Sequence, residues 1–393
     1  MNGISEIPCN VNLKTGYHGE IISDSALNYK IALPYEDPRT LEINSIFEDE
    51  VPDNIINESA SIHTINSSIL FQRKLTVDEI STNIIKYLNH RNLQFNSREN
   101  FAKYDFWYKK IKHSIALKQP ISIIIPIFCN IGNPLKRFQV TDITYAEKVT
   151  LTHLQNIAKE GEKVYPYGFK FEIVADANFY STPFMNNVIE THNYINNLKK
   201  YVLNSGYSRN LEIRDMMDII SNDSHRFTEK FHFWMEKIEN NKSEDLSAWK
   251  NSMISSINLR HFHDYNEIRK CYSNQKSEIR DYIEGRATSS LAIYRSLKNA
   301  AADISWEHLV SENFIRSTIH TKEIPVLGLR IYPEYKKSSK LLPYHGIAVF
   351  SKKNEKYRMK ILTEMEAVSL PNILKIKGKD GLTQGYIYND FDK

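Results

Sequence analysis

The central part of the chain alternates between continuous apolar runs and an amphipathic stretch. Residues 121–127, ISIIIPI, are mostly β-branched and predict a buried strand of a parallel sheet. The amphipathic segment that follows predicts a helix, with Thr141 or Asp142 as its N-cap and Gly161 as its end. Residues 169–174, FKFEIV, alternate with a period of two and predict a second strand. Strand, helix and strand in this order predict a parallel βαβ unit.

The flanking regions have weaker patterns. Residues 186 to about 310 have mainly helical spacing of apolar positions, and strand-like runs return from residue 324. Residues 1–70 are polar without a sustained period, which predicts an irregular N-terminal extension. We therefore expect an α/β fold with a Rossmann-like, mostly parallel sheet flanked by helices and a largely helical insertion. The catalytic domain would span residues 71–393.

The composition is that of an ordinary globular protein. The 393 residues include 51 basic and 47 acidic ones, a formal net charge of +4, which does not favour a nucleic-acid partner. Three cysteines without a CxxC pair argue against a disulfide framework and fit a reducing compartment. The first residues do not have the pattern of a signal peptide, and the most apolar run is far too short to span a bilayer. We expect a cytoplasmic protein without a membrane partner.

Charged side chains follow both strands of the predicted βαβ unit. Lys136 and Arg137 lie between the first strand and the helix, where backbone N–H groups and the helix dipole favour a phosphate or carboxylate. Asp176 comes directly after the second strand, at the sheet edge where ligands gather. Its carboxylate could hold a substrate amine or orient a base. A solvated basic turn and a helix-capping aspartate are the structural alternatives.

Two histidine-containing segments lie further along the chain. Residues 315–320, IRSTIH, alternate so that Arg316 and His320 share one strand face, about 13 Å apart at most. A guanidinium near an imidazole suits an anion beside an acid–base group, whereas a half-exposed polar strand face is the alternative. His345 precedes Gly346 at the start of an apolar strand, where glycine permits close backbone approach. A single histidine is nevertheless more often structural than catalytic.

The segment RHFHDY, residues 260–265, has the ligand types of a metal site. Histidines two positions apart share a face only in a strand, and this neighbourhood has a helical pattern. No further ligands follow at a suitable spacing. We therefore expect no bound metal.

The order of these segments resembles the pyoverdine/dityrosine biosynthesis (isonitrile synthase) family. That family has a strand ending in Pro, a loop with Lys and Asn, the helix start P-D-x-x-E, then Y-P-P-G, a strand ending in S-D-G, R-L-S-I-H and T-P-W-H-G. This chain has, in the same order, ISIIIPI, GNPLKRF, an Asp and an Ala-Glu pair opening a helix, YPYG, FEIVAD, IRSTIH and LPYHG. The likeness covers residues 116–355.

The resemblance implies an enzyme of secondary metabolism without a metal or organic cofactor. Such enzymes join the amine of an aromatic amino acid, of the Tyr or Trp type, to the ketone of ribulose 5-phosphate and leave one sugar carbon as the isonitrile carbon. Both substrates are small molecules, and a homodimer is compatible with the sequence. The catalytic residues expected on this basis are His320, His345, Asp176 and Lys136. The substrate-binding residues expected are Arg316, Arg137, Asn133, Asp142 and Glu147.

Three positions depart from the family pattern. Asn130 replaces a lysine of the loop, Ala177 replaces the glycine after the strand-end aspartate, and Tyr344 replaces a tryptophan. The change at residue 130 leaves open another amino-acid-modifying enzyme on the same scaffold, for example a formylating or dityrosine-pathway enzyme. A non-catalytic phosphoanion-binding protein is a further alternative, which retention of both histidines disfavours.

Overall fold

A computed structural model of the chain defines most of its central and C-terminal elements. It describes residues 7–12, 18–22, 30–31, 45–47, 54–61, 75–90, 93, 104–128, 142–178, 188–240, 292–293, 295–297, 299–301, 303, 314–318, 327–333, 341–353, 356–362, 364–368, 370–378 and 381–388. The helices are α1 (Ile55–Ser59), α2 (Val77–Leu88), α3 (Tyr104–Ala116), α4 (Tyr145–Glu162), α5 (Val188–Asn204), α6 (Met216–Ser221), α7 (Ser224–Asn240) and α8 (Glu364–Val368). The strands are β1 (Ile7–Asn12), β2 (His18–Ile22), β3 (Lys30–Ile31), β4 (Ser45–Phe47), β5 (Ile121–Ile127), β6 (Phe169–Ala175), β7 (Leu211–Asp215), β8 (Ile315–Thr318), β9 (Leu327–Gly328), β10 (Ile347–Lys353), β11 (Lys356–Leu362), β12 (Ile373–Lys377) and β13 (Thr383–Tyr388).

A five-stranded parallel sheet with the strand order β7-β6-β5-β8-β9 forms the centre of the fold. Strand β5 pairs in parallel with β6, with Ile121 opposite Phe169, and with β8 on its other side. Helix α4 connects β5 to β6 and packs against β6. The predicted α/β class and the predicted βαβ unit are therefore confirmed, and residues 315–318 do form a strand.

The two faces of this sheet differ in polarity because side chains alternate along each strand. Ile123, Ile125 and Phe171 are fully buried and belong to the main core together with the inner side of α4. The opposite face carries two ion pairs. Lys170 Nζ lies 2.5 Å from Glu212 Oε2, and Arg214 Nη1 lies 3.2 Å from Glu172 Oε2. The apolar face positions the helices, and the polar face is the one that carries Arg316.

A second, mixed sheet has the order β11-β10-β13-β12-β4. The strand-like runs from residue 324 thus divide between two sheets, because β9 joins the first sheet and β10 to β13 form the second. Helix α4 contacts both sheets. It packs against β6, and its first residue, Tyr145, packs edge-to-face on Phe350 of β10 with ring centroids 5.8 Å apart.

Part of the predicted N-terminal extension belongs to the folded core. Strand β4 pairs in parallel with β12, so that Ser45 lies opposite Lys375. Helix α1 buries Ile55, and the carbonyl of Ala60 accepts a hydrogen bond of 3.1 Å from Asn156 Nδ2 on α4. Strands β1, β2 and β3 form a separate antiparallel sheet. The sequence does not predict these long-range pairings, because residues 1–70 are polar and have no sustained period of apolar positions.

Two details of the predicted elements are wrong. Helix α4 is capped by Thr144, not by Thr141 or Asp142, because Thr144 and Glu147 form a capping box. Strand β7 lies in the region that the sequence predicts as helical, since a five-residue alternation is too short to stand out beside two long helices. The predicted helix end at Gly161 is one residue from the observed end at Glu162.

A buried histidine joins α4 to the segment after α1, and we expect it to make stability pH-dependent. His153 is 1% exposed, its Nδ1 lies 3.3 Å from the carbonyl of Ala60, and burial lowers its pKa to about 4. In the unfolded chain a histidine has a pKa of about 6.5, so the unfolded state binds more protons between these values. The free energy of unfolding should therefore fall by about 3 kcal/mol as the pH drops from about 6.5 to about 4.

Urea unfolding at about pH 7.5 and about pH 5 measures this effect, and about 2 kcal/mol of the loss is expected by the lower pH. His153→Gln should remove this part of the pH dependence because glutamine does not titrate. His192→Gln is the matched control, since His192 is exposed on α5. An unchanged pH dependence in His153→Gln would show that His153 is not the responsible group.

Candidate functional site

The carboxyl ends of three neighbouring strands lie in register at one edge of the parallel sheet. Ile127 of β5 is opposite Ala175 of β6, and Ala175 is opposite Asp215 of β7. Phe128 and Asp176, which directly follow the first two strands, therefore lie next to each other along this edge. Ligands of open parallel sheets bind in this position.

The turn that contains Asp176 is hydrogen-bonded to the end of the neighbouring strand β7. Asn178 Nδ2 donates a hydrogen bond of 2.6 Å to Asp215 Oδ2, and Asp215 Oδ1 accepts the backbone N–H of Met217 at 2.9 Å. Ala177, between the two polar residues of the turn, is 1% exposed. Asp176 itself is half-buried. Sequence reasoning missed both Asn178 and Asp215. The helix-capping position of Asp215 is the one local signal for it, and Asn178 has none before the register of the strands is known.

Phe128 links the end of β5 to the predicted His345 motif. Its φ of 68° places a bulky residue in the left-handed region, an uncommon and strained conformation, although the side chain is fully buried. The ring packs edge-to-face on Tyr344 with centroids 5.8 Å apart, and the Tyr344 ring lies 4.5 Å from that of His345. The segment that carries His345 is thereby held at the carboxyl end of the central strand.

Residues 343–345 form a single turn of 3-10 helix ahead of β10. The backbone then passes very close to β11, since a Cβ on Gly346 would lie 2.5 Å from the carbonyl oxygen of Leu362 and 2.7 Å from Cγ2 of Ile361. The predicted close backbone approach at Gly346 is therefore confirmed. His345 is half-buried.

Gly346→Ala should destabilise the protein by about 1–3 kcal/mol, because the added methyl group meets a backbone carbonyl that cannot rotate away. Urea unfolding measures the loss. Gly206→Ala is the comparison, since a Cβ there has open space and only the φ of 70° opposes it, a cost of about 1 kcal/mol. A Gly346→Ala protein as stable as the parent would contradict the close approach.

Arg316 lies further from the edge than the sequence motif suggests. It pairs with Ile124 in the middle of β5, and Ile124 pairs with Glu172 of β6 on the other side. Arg316 is half-buried and shares the polar face of the sheet with Glu172. Strand β8 then runs towards the carboxyl edge and ends at Thr318. The proposed substrate-binding role of Arg316 stays a prediction.

Glu147 and Asp142, both predicted to bind substrate, have different surroundings. Glu147 is fully buried, where Oε2 accepts the backbone N–H and hydroxyl of Thr144 at 2.9 and 2.8 Å and Oε1 accepts the hydroxyl of Tyr194 at 3.0 Å. Asp142 is half-buried, and its Oδ1 accepts a bond of 3.0 Å from Asn197 Nδ2. Asp142 lines a cavity of about 490 Å³, whereas the contacts of Glu147 tie α4 to α5.

Several predicted site residues lie outside the part of the chain that the structure describes. They are Asn130, Asn133, Lys136, Arg137 and His320, together with residues 260–265. Within the described part, no three metal-ligating side chains lie together, and no helix has the length and hydropathy needed to cross a membrane.

Comparisons with known proteins place these observations in a family context. The sequence model of the family described as pyoverdine/dityrosine biosynthesis protein matches residues 111–370, about two thirds of the chain. The crystal structure of the PvcA protein from Pseudomonas aeruginosa is similar with a TM-score of 0.58 and 15% sequence identity, over 78% of this chain and 99% of that chain. No curated protein matches. The matched residues include the carboxyl edge of the parallel sheet and the His345 motif.

Proposed function

Since this chain belongs to the pyoverdine/dityrosine biosynthesis family, we propose that it is an isonitrile synthase of secondary metabolism. Its substrates are an aromatic amino acid and ribulose 5-phosphate. The amine nitrogen bonds to the ketone carbon of the sugar, and that carbon stays on the nitrogen as the isonitrile carbon when the sugar fragments leave. The contact of Phe128 with Tyr344 carries this proposal, because it holds His345 at the carboxyl edge where Asp176 lies.

The condensation needs groups that move protons. The amine must lose protons as it attacks the ketone, and the carbonyl oxygen must gain them to leave as water. A histidine titrates near neutral pH and suits both directions of transfer. In this proposal His345 moves these protons together with His320. Asp176 accepts the substrate ammonium in a turn that Asn178 and Asp215 hold in place.

The phosphosugar needs cations, and we assign this role to Lys136, Arg137 and Arg316. Asn133 would contribute hydrogen bonds from the same loop as the two neighbouring cations. The aromatic surroundings of His345 serve a different purpose. The buried Tyr344 ring, which packs on Phe128, lies against the imidazole and shields that side of it from water.

A second candidate function rests on one observation in the sequence. Asn130 replaces a loop lysine of the family, which leaves open another modification of the amino acid on the same scaffold, for example formylation or a dityrosine-pathway reaction. Both functions modify an amino acid, so the product that is formed distinguishes them. A protein that only binds phosphoanions would form neither product.

Incubation of the purified protein with ribulose 5-phosphate and each aromatic amino acid in turn, followed by mass spectrometry, separates these functions. The isonitrile of one amino acid is the expected product. A formylated amino acid would favour the second candidate, and Asn130→Lys would then show whether residue 130 sets the product. Absence of any product with all the amino acids would reject both enzymatic proposals.

A further inference from the structure

A row of basic side chains follows β11, the edge strand of the second sheet. Residues 352–360, from the end of β10 into β11, include five basic residues and one acidic residue, a net charge of +4. The whole chain also has a net charge of +4, so its remaining residues are neutral on balance. We propose that the basic ladder, formed by Lys356, Arg358 and Lys360, is a docking surface for an acidic helix of a partner protein.

The three cations of the basic ladder lie on one face of β11. Met359 and Ile361, which alternate with them, are 1% exposed and belong to the main core. Lys356, Arg358 and Lys360 therefore project from the opposite face of the sheet. Lys356 is exposed and the other two are half-buried. Since alternate residues of a strand are about 6.8 Å apart, the ladder forms a row of positive charge about 14 Å long.

Protection of the sheet edge does not account for these charges. Lysines on an edge strand commonly prevent its pairing with another chain. However, α1 packs against β11, and Glu58 Oε2 accepts the backbone N–H of Tyr357 at 3.0 Å, so this edge is already covered there. The charges also cost stability, because Lys353 of β10 lies directly opposite Lys356 and like charges in such a pair repel each other. A binding role explains why this charge density is kept.

The surroundings of the basic ladder favour a protein partner over a membrane or a nucleic acid. The apolar side chains on the same face of the sheet include Ile347, Val349 and Tyr386, which are buried in a small core with Ala367 of α8. Buried side chains cannot insert into a bilayer, and the buried Tyr386 ring cannot stack on bases. The partner should therefore be bound through its charge.

The spacing of the basic ladder matches that of carboxylates on a helix. Acidic residues at every fourth position of an α-helix are about 6 Å apart along its axis, close to the spacing of about 6.8 Å along the strand. The long side chains of lysine and arginine can absorb the difference over three pairs. Arg358, at the centre, can bind a carboxylate through two parallel hydrogen bonds. Three ion pairs can thus form along one helix face.

Two synthetic peptides test the proposed charge recognition with the full-length protein. One is an alanine-based helical peptide with glutamate at every fourth position, and its twin has glutamine at the same positions. Fluorescence anisotropy measures the Kd of each. The glutamate peptide should bind about tenfold more tightly at about 20 mM salt, and this difference should disappear above about 0.3 M salt, because the ion pairs are exposed. Equal binding of both peptides at low salt would overturn the proposal.

A double variant tests whether the basic ladder is the surface that binds. Lys356→Gln with Lys360→Gln should raise the Kd of the glutamate peptide by about fivefold, because two of three ion pairs are lost. Lys159→Gln with Lys200→Gln is the matched control, since it removes the same charge from exposed lysines of α4 and α5. The control should leave the Kd unchanged, and melting temperatures verify folding. Equal weakening by both double variants would overturn the ladder as the docking surface.

Two further probes distinguish an acidic helix from other polyanions. A twelve-residue oligothymidylate and phosphatidylserine-containing vesicles are measured with the same proteins at the same salt concentrations. Tighter binding of either probe than of the glutamate peptide, lost in the ladder variant, would overturn the acidic-helix assignment. Turnover of small-molecule substrates should be the same in the ladder variant and in the parent, so this inference stands or falls separately from the proposed reaction.

Discussion

Replacement of His345 by glutamine should lower kcat by about two to four orders of magnitude with little change in KM. The imidazole is held at the carboxyl edge by the Tyr344 ring, whose centroid lies 4.5 Å away, and by the close passage of Gly346 over β11. Loss of a positioned general acid–base group has an effect of about this size. Because glutamine binds hydrogen-bonding ligands as well as histidine but does not titrate, the loss should fall on kcat.

The His345 experiment needs a control for folding and one for histidine chemistry elsewhere. His225→Gln changes a histidine with a side chain 89% exposed on α7 and should leave turnover unchanged. Melting temperatures show whether His345→Gln remains folded. A well-folded His345→Gln protein with undiminished turnover would remove His345 from the mechanism and leave His320 as the histidine of the proposed site.

Glu147→Ala should lower the free energy of unfolding by about 3 kcal/mol or more. The carboxylate accepts the backbone N–H and hydroxyl of Thr144 and the hydroxyl of Tyr194, all in a fully buried position. Alanine leaves these donors without an acceptor, and each buried unsatisfied group costs about 1–3 kcal/mol, in addition to the weakened helix cap. Urea unfolding measures the sum.

Glu147→Gln and Tyr194→Phe divide the Glu147 effect into its parts. Glutamine keeps the length and one acceptor, so a smaller loss of about 1 kcal/mol is expected, and phenylalanine removes the Tyr194 donor alone. A binding role for Glu147 gives a different pattern, in which Glu147→Gln is as stable as the parent but has a raised KM. This comparison decides between the capping contacts and the substrate-binding role predicted from the sequence.

The sequence predicts those elements whose signal is local. The apolar run of β5 and the alternation of β6 each extend over about the length of a strand. The sequence alone therefore predicts that both are strands and in which order they occur. The pairing of β4 with β12 has no such signal, because it joins residues 45–47 to residues 375–377. The cap that the sequence predicts for α4 is wrong for a related reason, since several capping residues lie within four positions and only the contacts of Thr144 and Glu147 select one.

The candidate site, like the fold, contains residues that local motifs predict and residues that only tertiary contacts reveal. The sequence indicates Asp176 and His345 because each lies at the end or start of a strand that the pattern predicts. It does not indicate Phe128, since the positive φ of Phe128 and its contact with Tyr344 depend on tertiary packing. Asn178 likewise became visible only when the register of β6 and β7 placed Asp215 beside it.

The most direct test of the proposed reaction follows the ketone carbon of the sugar. The purified protein is supplied with its amino acid and with ribulose 5-phosphate that carries carbon-13 at the ketone position, and the product is analysed by mass spectrometry. The proposal predicts an isonitrile that contains the carbon-13 label and is therefore heavier than the product formed from unlabelled ribulose 5-phosphate. The labelled carbon should be the one bonded to the amino-acid nitrogen. An unlabelled product, or no consumption of ribulose 5-phosphate with any aromatic amino acid, would contradict it.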